Sequence, residues 1–462
     1  MIYLFLSRKK PRLLLINPWI YDFTAFDFWS KPLGLLYIAS ILRELGYQIN
    51  FIDCMDRYDA DLLRWQGKTP SRNKRFGTGS FQKEKVEKPK ILKSIPRNYY
   101  QYGITKNIFY NKLKKVNKPD AILITSVMTY WYPGVFEVIK LAKDIFPGSP
   151  IILGGIYATL CNEHAQQYSG ADYTLKGSSI IRLLKLLEDI LHKHSKNCSD
   201  KNIAKNFNSY PLPAWDLYHN LDYICLVSGI GCPYSCSYCA SNLINPVLNF
   251  REPSKIVAEI KYWFDIRGVK DFVFYDDALL INSSKHFIPI MQKLLQLNLK
   301  ISFHTPNALH AALIDKDTAE LMYANNFKSI WHGFESSDCV FQENTGGKIN
   351  NADFEKAIKN LLNAGFSSRQ INAYVLVGLP GQRYNNVLDS ISFVFKTGIK
   401  PYLAKYSPIP GTKIWGEALL EYGWEEPVDP VLHNDALMPY FSPNINEQQY
   451  YELKKIIKNY KI

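Results

Sequence analysis

The run Gly231-Cys-Pro-Tyr-Ser-Cys-Ser-Tyr-Cys-Ala240 places three cysteines, Cys232, Cys236 and Cys239, within eight residues. A structural zinc site is tetrahedral and takes four ligands, usually from paired CxxC or histidine elements. This CxxxCxxC spacing supplies only three thiolates, no second CxxC occurs in the chain, and Cys225 lies in an apolar run typical of a strand. A cubane iron–sulfur cluster held by three thiolates keeps one iron open for a small chelating ligand. The spacing favours such a cluster, with a zinc site or an incidental grouping as the alternative.

The same segment resembles the cluster loop of the radical S-adenosylmethionine (SAM) enzymes, including the aromatic Tyr238 just before the last cysteine. The resemblance implies a 4Fe–4S cluster on these three cysteines, SAM bound at its open iron, and an electron donor such as flavodoxin or ferredoxin. Reductive cleavage of SAM would then give a 5′-deoxyadenosyl radical, which removes hydrogen from an unactivated carbon.

Before this segment, from residue 12 to about 195, apolar strand patterns alternate with helical ones. Strands are predicted at Arg12–Asn17, Gln48–Asp53, Ala121–Thr125, Ile151–Leu153 and Ala171–Leu175, with helices at Pro32–Glu44, Val135–Asp144 and Ile180–His192. Strands that alternate with helices at this spacing predict an α/β domain with a parallel, doubly wound sheet. Ligands on such sheets bind at the carboxyl ends of the strands.

Those strand ends resemble a cobalamin-binding domain, whose pattern is DxHxxG, then SxL, then GG. Asp53 is kept, Met55 stands where the cobalt-ligating His would be, Ser126-Val-Met128 replaces the second element, and Gly154-Gly155 is the third. Gly177 lies in Lys176-Gly-Ser-Ser179, where that group usually carries acidic residues. The resemblance implies cobalamin bound without histidine ligation, as is usual in cobalamin-dependent radical SAM enzymes; a vestigial pocket is the alternative.

From Tyr223 onward a second series of six strand–helix units predicts an open partial (βα)6 barrel. The strands are predicted at 223–227, 271–275, 301–304, 329–333, 371–377 and 402–406, and the helices at about 253–266, 284–297, 315–325, 352–364 and 384–396. Residues 408–462 are expected to close the mouth of the barrel and to end in a helix over about 447–458. The predicted domains are therefore 1–195, a linker at 196–217, the barrel at 218–407 and a short C-terminal helical region at 408–462.

Polar and glycine motifs follow the predicted barrel strands, at the end where barrel enzymes place their chemistry. Asp276-Asp277 follows the second strand, where one carboxylate is suited to the ammonium of SAM, with helix N-capping as the alternative. The fourth strand ends in Glu335-Ser336, which in the family holds the ribose hydroxyls. The fifth ends in Gly378-Leu379, whose backbone can approach adenine, and the sixth in Pro408-Ile-Pro410. These residues are predicted to bind SAM: Asp276, Asp277, Glu335, Ser336, Gly378, Leu379 and Pro410.

The net charge of +13 is concentrated in one stretch of the chain. Residues 66–119 contain 15 Lys or Arg and two acidic residues, Glu84 and Glu87. Their prolines and glycines predict an irregular insertion with a basic face. This insertion is either a solvated loop or an electrostatic binding site for an anionic substrate. Eight cysteines with three clustered argue against a disulfide framework, and no apolar run spans a bilayer, so a cytoplasmic location is expected.

Taken together, the sequence predicts a cobalamin-dependent radical SAM enzyme that methylates an unactivated carbon of a small-molecule or anionic substrate. A cobalamin-assisted cyclase or rearranging enzyme would show the same motifs. A cysteine-rich nucleic-acid-binding protein with a structural metal is the alternative from another class, although nucleic acid is not the expected partner.

Overall fold

The computed structural model describes residues 10–69, 75–191 and 206–460. Two parallel sheets dominate it. The strands are β1 Arg12–Asn17, β2 Ile20–Asp22, β3 Phe26–Asp27, β4 Gln48–Asp53, β5 Gly79–Ser80, β6 Lys83–Val86, β7 Tyr99–Tyr102, β8 Ala121–Ile124, β9 Ile151–Leu153, β10 Tyr173–Thr174, β11 Tyr223–Leu226, β12 Gly229–Ile230, β13 Asn249–Phe250, β14 Asp271–Phe274, β15 Ser302–Leu309, β16 Phe327–Glu335, β17 Ile371–Val377 and β18 Lys400–Lys405.

Helices connect these strands and cover the sheets. They are α1 Leu33–Glu44, α2 Ala60–Gln66, α3 Lys106–Lys115, α4 Tyr132–Ile145, α5 Ile156–Leu160, α6 Asn162–Tyr168, α7 Ile180–Leu191, α8 Ser241–Ile244, α9 Pro253–Arg267, α10 Phe287–Leu297, α11 Lys316–Ala324, α12 Cys339–Asn344, α13 Asn351–Asn363, α14 Tyr384–Lys396, α15 Trp415–Tyr422, α16 Met438–Phe441 and α17 Glu447–Asn459.

The N-terminal sheet has the order β10-β9-β8-β1-β4 with every pairing parallel. Counted along the five strands, this is the doubly wound order 2-1-3-4-5, in which the chain reverses direction between β1 and β8. Alternate β1 residues enter different cores, Leu14 and Ile16 on one face and Leu13 and Leu15 on the other. Both faces are therefore covered by helices, which confirms the predicted Rossmann-like fold.

The predicted boundaries in this sheet hold to within a few residues. Arg12–Asn17, Gln48–Asp53 and Ile151–Leu153 are observed as predicted, whereas the last strand is only Tyr173–Thr174. Position 192, the predicted end of the last helix, lies outside the described residues. Helix α4 begins three residues earlier than predicted because Pro133 occupies its first turn, where proline is tolerated.

The basic insertion is more ordered than the sequence indicated. Strands β2, β7 and β6 form an antiparallel sheet, β3 pairs with β5, and α3 packs into the core of the Rossmann-like domain through Phe109 and Leu113. The prediction of an irregular segment over 66–119 was therefore wrong for these stretches. The high charge of the segment hid these elements, because lysines occupy the exposed strand β6 and the last turn of α3.

The second sheet runs β11-β14-β15-β16-β17-β18, parallel throughout and in chain order. In β17, Ile371, Ala373, Val375 and Val377 enter the core beneath the helices. Because side chains alternate across a strand, Tyr374 points to the opposite, interior face. The six-stranded partial barrel is thus confirmed. Strand β15 is five residues longer at its carboxyl end than predicted.

Residues 206–217, the described part of the predicted linker, pack tightly between the domains. Trp215 is fully buried, and the amide of Ala214 donates to the carbonyl of Leu36 in α1. The C-terminal region also bridges both domains: Val431 and Leu437 enter the Rossmann-like core, and Met438 lies against Gly378 of the barrel. In the described part of the chain, no helix has the length and apolar character needed to cross a membrane.

Candidate active site

The cysteine loop follows β11 and is fixed at its base by a short hairpin. Strands β12 and β13 pair on either side of it, and Gly231 has φ +84°. A Cβ at Gly231 would lie 2.7 Å from the carbonyl oxygen of Val247, so only glycine fits before Cys232. This packing fixes the direction in which the three cysteines leave the hairpin.

The three cysteines differ in exposure, since Cys232 and Cys236 are partly buried while Cys239 is exposed. Burial raises the pKa of the Cys236 thiol to about 11, and the nearby ammonium of Lys348 opposes that rise. The Cys239 thiol donates to the hydroxyl of Ser241 at 3.3 Å, and its sulfur accepts from the amide of Ser241 at 3.5 Å. Hydrogen bonds to cysteine sulfur are one means by which proteins tune iron–sulfur clusters.

Among the described residues, no three His, Cys, Asp or Glu side chains converge to hold one metal ion. In a cubane each thiolate binds a different iron, so its ligands need not converge on one point. The donor set, three thiolates with no fourth cysteine in the loop, fits a 4Fe–4S cluster with one open iron.

The two predicted aspartates at the end of β14 have different environments. Asp276 is buried and accepts from the amide and hydroxyl of Ser228 and from the amide of Gly229. Burial raises the pKa of Asp276 to about 6, while these hydrogen bonds oppose the rise. Its carboxylate therefore fixes the start of the cysteine loop. Asp277 lies toward the loop instead, where its side chain is hydrogen-bonded to Ser241.

Glu335 ends β16 with φ +71° and forms a buried ion pair with Lys348, whose ammonium also lies 3.4 Å from the hydroxyl of Tyr238. Tyr238 is the aromatic residue of the cysteine motif, so this ion pair adjoins the cluster loop. The neighbouring Ser336 is fully buried and faces away, with its hydroxyl 3.4 Å from that of Ser390 on α14. The structure thus places Glu335, but not the Ser336 side chain, at the site.

The glycine turns after β17 and β18 also reach the cysteine loop. Leu379 packs in a cluster with Tyr238. The turn that contains Pro410 is held by a hydrogen bond from the amide of Ile414 to the carbonyl of Ser237. Gly378 is covered by Met438, because a Cβ there would lie 2.3 Å from the Met438 Cγ. Four predicted motifs therefore surround one loop.

Sequence reasoning missed Lys348 and the Gly346-Gly347 turn before it. A Cβ at Gly346 would lie 3.0 Å from the Cα of Cys236, and the carbonyl of Thr345 accepts from the amide of Ser237. The segment therefore lies directly on the cysteine loop. Two adjacent glycines after a short helix, followed by a lysine, were the available signal.

In the Rossmann-like domain a cleft opens at the switch point between β1 and β8. Asn17, Met55, Ser126, Trp19 and Trp131 are among its lining residues. Met55 is only 4% exposed and packs in a cluster with Ile20, Phe81 and Tyr102 from the insertion. Asp53 lies beneath it and accepts from the amide of Met55.

The glycines predicted to bind cobalamin, Gly154, Gly155 and Gly177, border this region, and we call them the glycine cradle. At Gly154 and Gly177 an added Cβ would meet no atom within 4 Å, so space lies in front of both. At Gly155, with φ +92°, it would lie 2.3 Å from the Ser126 carbonyl oxygen. Met128 is 40% exposed beside them. Small residues next to open space are the arrangement expected for a large flat ligand lying against the backbone.

A buried polar network joins the Rossmann-like domain to the start of the barrel. Asp53 accepts from Asn17 at 2.6 Å and from the hydroxyl of Tyr218, and the ammonium of Lys31 lies 3.6 Å from Asp56 and over the Tyr218 ring. Because the network joins residues of both domains, it fixes their relative position.

The sequence pattern of the Radical SAM superfamily matches residues 226–394. An uncharacterized methyltransferase of Pyrococcus horikoshii is 22% identical over 71% of this chain and 78% of its own length. The anaerobic magnesium-protoporphyrin IX monomethyl ester cyclase of Cereibacter sphaeroides is 22% identical over 71% of this chain and 58% of its own length.

Among solved structures, the radical SAM methyltransferase TsrM of Kitasatospora setae, with cobalamin and a 4Fe–4S cluster bound, superposes with a TM-score of 0.65. The match covers 93% of this chain and 82% of that one at 13% identity. The match to the Radical SAM superfamily supports an enzyme rather than a nucleic-acid-binding protein with a structural metal. Residues 226–394 are therefore similar to the Radical SAM superfamily, and the chain has the two-domain fold seen in a radical SAM methyltransferase with cobalamin bound.

Proposed function

We propose that this enzyme is a cobalamin-dependent methyltransferase that adds a methyl group to an unactivated carbon. The proposal rests on one observation. The three-cysteine loop lies at strand ends of the barrel, and the open glycine cradle lies at strand ends of the Rossmann-like domain. The network of Asp53, Lys31 and Tyr218 holds the two domains together. Two reactive groups held in fixed relative positions make a short-lived radical productive.

On the barrel side, Asp277 is suited to the ammonium of SAM and Glu335 to its ribose hydroxyls. The backbone of Gly378 and Leu379 would border adenine, and Pro410 would close the same side. Ser336 is left out because its hydroxyl is turned toward α14. Lys348 is added, because it neutralises Glu335 before SAM arrives and lies beside the cluster cysteines.

On the Rossmann side, Gly154, Gly155, Gly177 and Ser126 would hold cobalamin, with Met128 at its edge. When bound, cobalamin supplies a methyl group that a substrate radical can take. Because the buried Met55 replaces histidine, its thioether, unlike an imidazole, supplies no nitrogen ligand to cobalt from this position.

The overall reaction balances with two SAM molecules and two electrons. One SAM is cleaved to methionine and 5′-deoxyadenosine, which carries the hydrogen taken from the substrate. The other gives its methyl group and leaves as S-adenosylhomocysteine. The two electrons neutralise the positive charges of the two sulfonium groups. A one-electron donor protein supplies them one at a time.

SAM with a deuterated methyl group tests the proposal. The anaerobically reconstituted enzyme is incubated with this SAM, a reductant and a small-molecule extract, and the products are analysed by mass spectrometry. We expect a product that gains the label, with 5′-deoxyadenosine and S-adenosylhomocysteine formed together. Substrate turnover with deoxyadenosine but without label or S-adenosylhomocysteine would contradict methyl transfer.

That contrary result would support a second candidate, a cobalamin-assisted radical cyclase. The observation that favours it is the cyclase of Cereibacter sphaeroides, whose identity to this chain equals that of the Pyrococcus methyltransferase. A cyclase would use the same cluster loop and cradle.

The two adjacent aspartates provide a prediction with an internal control. Asp276→Asn removes charge-assisted hydrogen bonds worth about 1.5–3 kcal/mol, so we expect the thermal unfolding midpoint to fall by on the order of 5 °C. Asp277→Asn should leave the midpoint nearly unchanged and weaken SAM binding. Scanning calorimetry and equilibrium binding of SAM measure both, and the reversed pattern would contradict these assignments.

Lys348 should also affect the cluster. Replacing it by Met removes a buried positive charge beside Cys236 and disfavours addition of an electron. At an effective dielectric constant near 20 and a separation of about 8 Å, the lost interaction between the ammonium and the added electron is about 2 kcal/mol. This corresponds to a shift on the order of 50–100 mV in the potential of a one-electron couple. We expect the midpoint potential to become more negative in a redox titration followed by electron paramagnetic resonance.

Lys413→Met is the matched control for Lys348→Met. Its ammonium contacts Ser235 on the same loop at 3.2 Å but is exposed, so water screens its charge. Equal shifts in the two variants would contradict a specific role for Lys348.

A further inference from the structure

Aromatic rings from both domains gather around Trp331 on the interior face of β16. The Trp331 ring centroid lies 5.6 Å from that of Phe28, 4.6 Å from that of Tyr374 and 4.7 Å from that of Tyr402. These separations are within the range of favourable ring–ring contacts. Phe28 belongs to the Rossmann-like domain, whereas the other rings come from three adjacent barrel strands.

A second group of rings extends this surface toward the insertion. His304 on β15 lies between Trp29 and Phe76, with ring centroids 4.6 and 4.8 Å away. We call the set Phe28, Phe76, His304, Trp331, Tyr374 and Tyr402 the aromatic pocket. The insertion therefore contributes to the barrel interior through Phe76.

The rings of the aromatic pocket are not fully packed against one another. Trp331 and His304 are buried, yet Phe28 and Phe76 are each 38% exposed and Tyr402 is 40% exposed. The partly exposed rings come from three separate segments that surround the buried ones. They leave apolar faces open where a folded core would have closed them, which is the usual mark of a binding site.

The backbone at this position is strained. Among the described residues, six non-glycine residues have positive φ, and three of these are asparagines, which tolerate that conformation. The other three are Trp29, Phe76 and Glu335, with φ of +61°, +56° and +71°. Two of them carry rings that stack on His304. Strain of this kind persists where the surrounding structure holds a functional geometry.

The charged groups beside His304 balance one another. Asp271 is hydrogen-bonded to the His304 imidazole at 3.2 Å, and Lys328 adds a positive charge nearby. With one group of each sign, the aromatic faces rather than charge offer the main contact, and they are suited to stacking on another flat ring.

We propose that the aromatic pocket binds the substrate and that the substrate carries a flat conjugated ring system. The inference rests on the proposed function only for the reaction that the bound molecule undergoes. Ring stacking would hold the flat part between Phe28 and Tyr402, with Phe76 at its edge.

The test compares two probes with the same bicyclic skeleton, flat 2-naphthol and puckered decahydro-2-naphthol. Their binding to the reconstituted enzyme is measured by ligand-observed nuclear magnetic resonance. We expect 2-naphthol to bind at least several-fold more tightly. Tyr402→Leu and Phe76→Leu should each weaken 2-naphthol binding by about two- to tenfold, as expected for loss of one ring contact.

Trp65→Leu is the control, since Trp65 is an exposed ring on α2 outside the aromatic pocket. Equal binding of the two probes, or 2-naphthol binding that is unchanged in both pocket variants while their thermal midpoints are preserved, would overturn the proposal. Tighter binding of tetramethylammonium than of 2-naphthol would replace it with a cation site. Formation of 5′-deoxyadenosine is measured separately, so failure of this inference is distinguishable from failure of the proposed function.

Discussion

Replacing Cys236 by Ala should abolish cleavage of SAM to 5′-deoxyadenosine. Cys236 lies at the centre of the loop, and its main chain is held by Gly346 on one side and by the amide of Cys239 on the other. No fourth cysteine in the loop can take its place. Two thiolates do not retain a cubane stably, so we expect iron and labile sulfide to be lost together with activity.

Cys339→Ala is the matched control because Cys339 is exposed at the start of α12, outside the motif. It should keep a full cluster and a normal rate. The same holds for Cys54 and Cys161, whereas Cys198 lies outside the described residues. Cleavage at the normal rate by the Cys236 variant would contradict the cluster assignment.

The second large effect is expected at Gly155. An added Cβ would lie 2.3 Å from the carbonyl oxygen and 2.6 Å from the amide nitrogen of Ser126, and φ is +92°. Backbone strain of about 1–2 kcal/mol and an overpacking cost of about 1–3 kcal/mol add together. Gly155→Ala should therefore lower the stability of the Rossmann-like domain by about 2–5 kcal/mol, as a fall in its thermal unfolding midpoint.

Gly154→Ala separates this packing effect from ligand binding. An added methyl group there meets no atom within 4 Å, so the midpoint should stay unchanged. The methyl group would nevertheless project into the open cradle and should reduce the amount of cobalamin retained after gel filtration. Full retention by a folded Gly154 variant would count against the cradle.

The sequence predicted the elements that carry strong apolar patterns and the motifs attached to them. Strand Arg12–Asn17 is buried on both faces and Ile371–Val377 is buried on its helix-facing side, so their apolar composition marks both as strands. Tertiary packing determines the roles of individual site residues, which sequence patterns do not distinguish. Asp276 and Asp277 are adjacent residues of the same type, so the sequence does not distinguish them. Their contacts do, because Asp276 is buried against Ser228 and anchors the loop, whereas Asp277 faces the site.

Contacts between distant segments were invisible to sequence reasoning for the same reason. Lys348 follows Glu335 by 13 residues, and nothing in that spacing indicates an ion pair. The aromatic pocket joins Phe28, Phe76 and Tyr402 across nearly the whole chain. Such groupings depend on how two domains dock, which local patterns do not encode.

Electron paramagnetic resonance of the enzyme reconstituted with cobalamin, iron and sulfide tests the proposed cofactors most directly. Met55 lines the cleft where the resemblance to cobalamin-binding domains expects a histidine, and no histidine lines the cleft in the described part of the chain. We predict about one cob(II)alamin per chain, without nitrogen splitting on cobalt, and a reduced 4Fe–4S signal in the same sample. Nitrogen splitting on cobalt, or a loaded cluster with no cobalamin retained, would contradict the account.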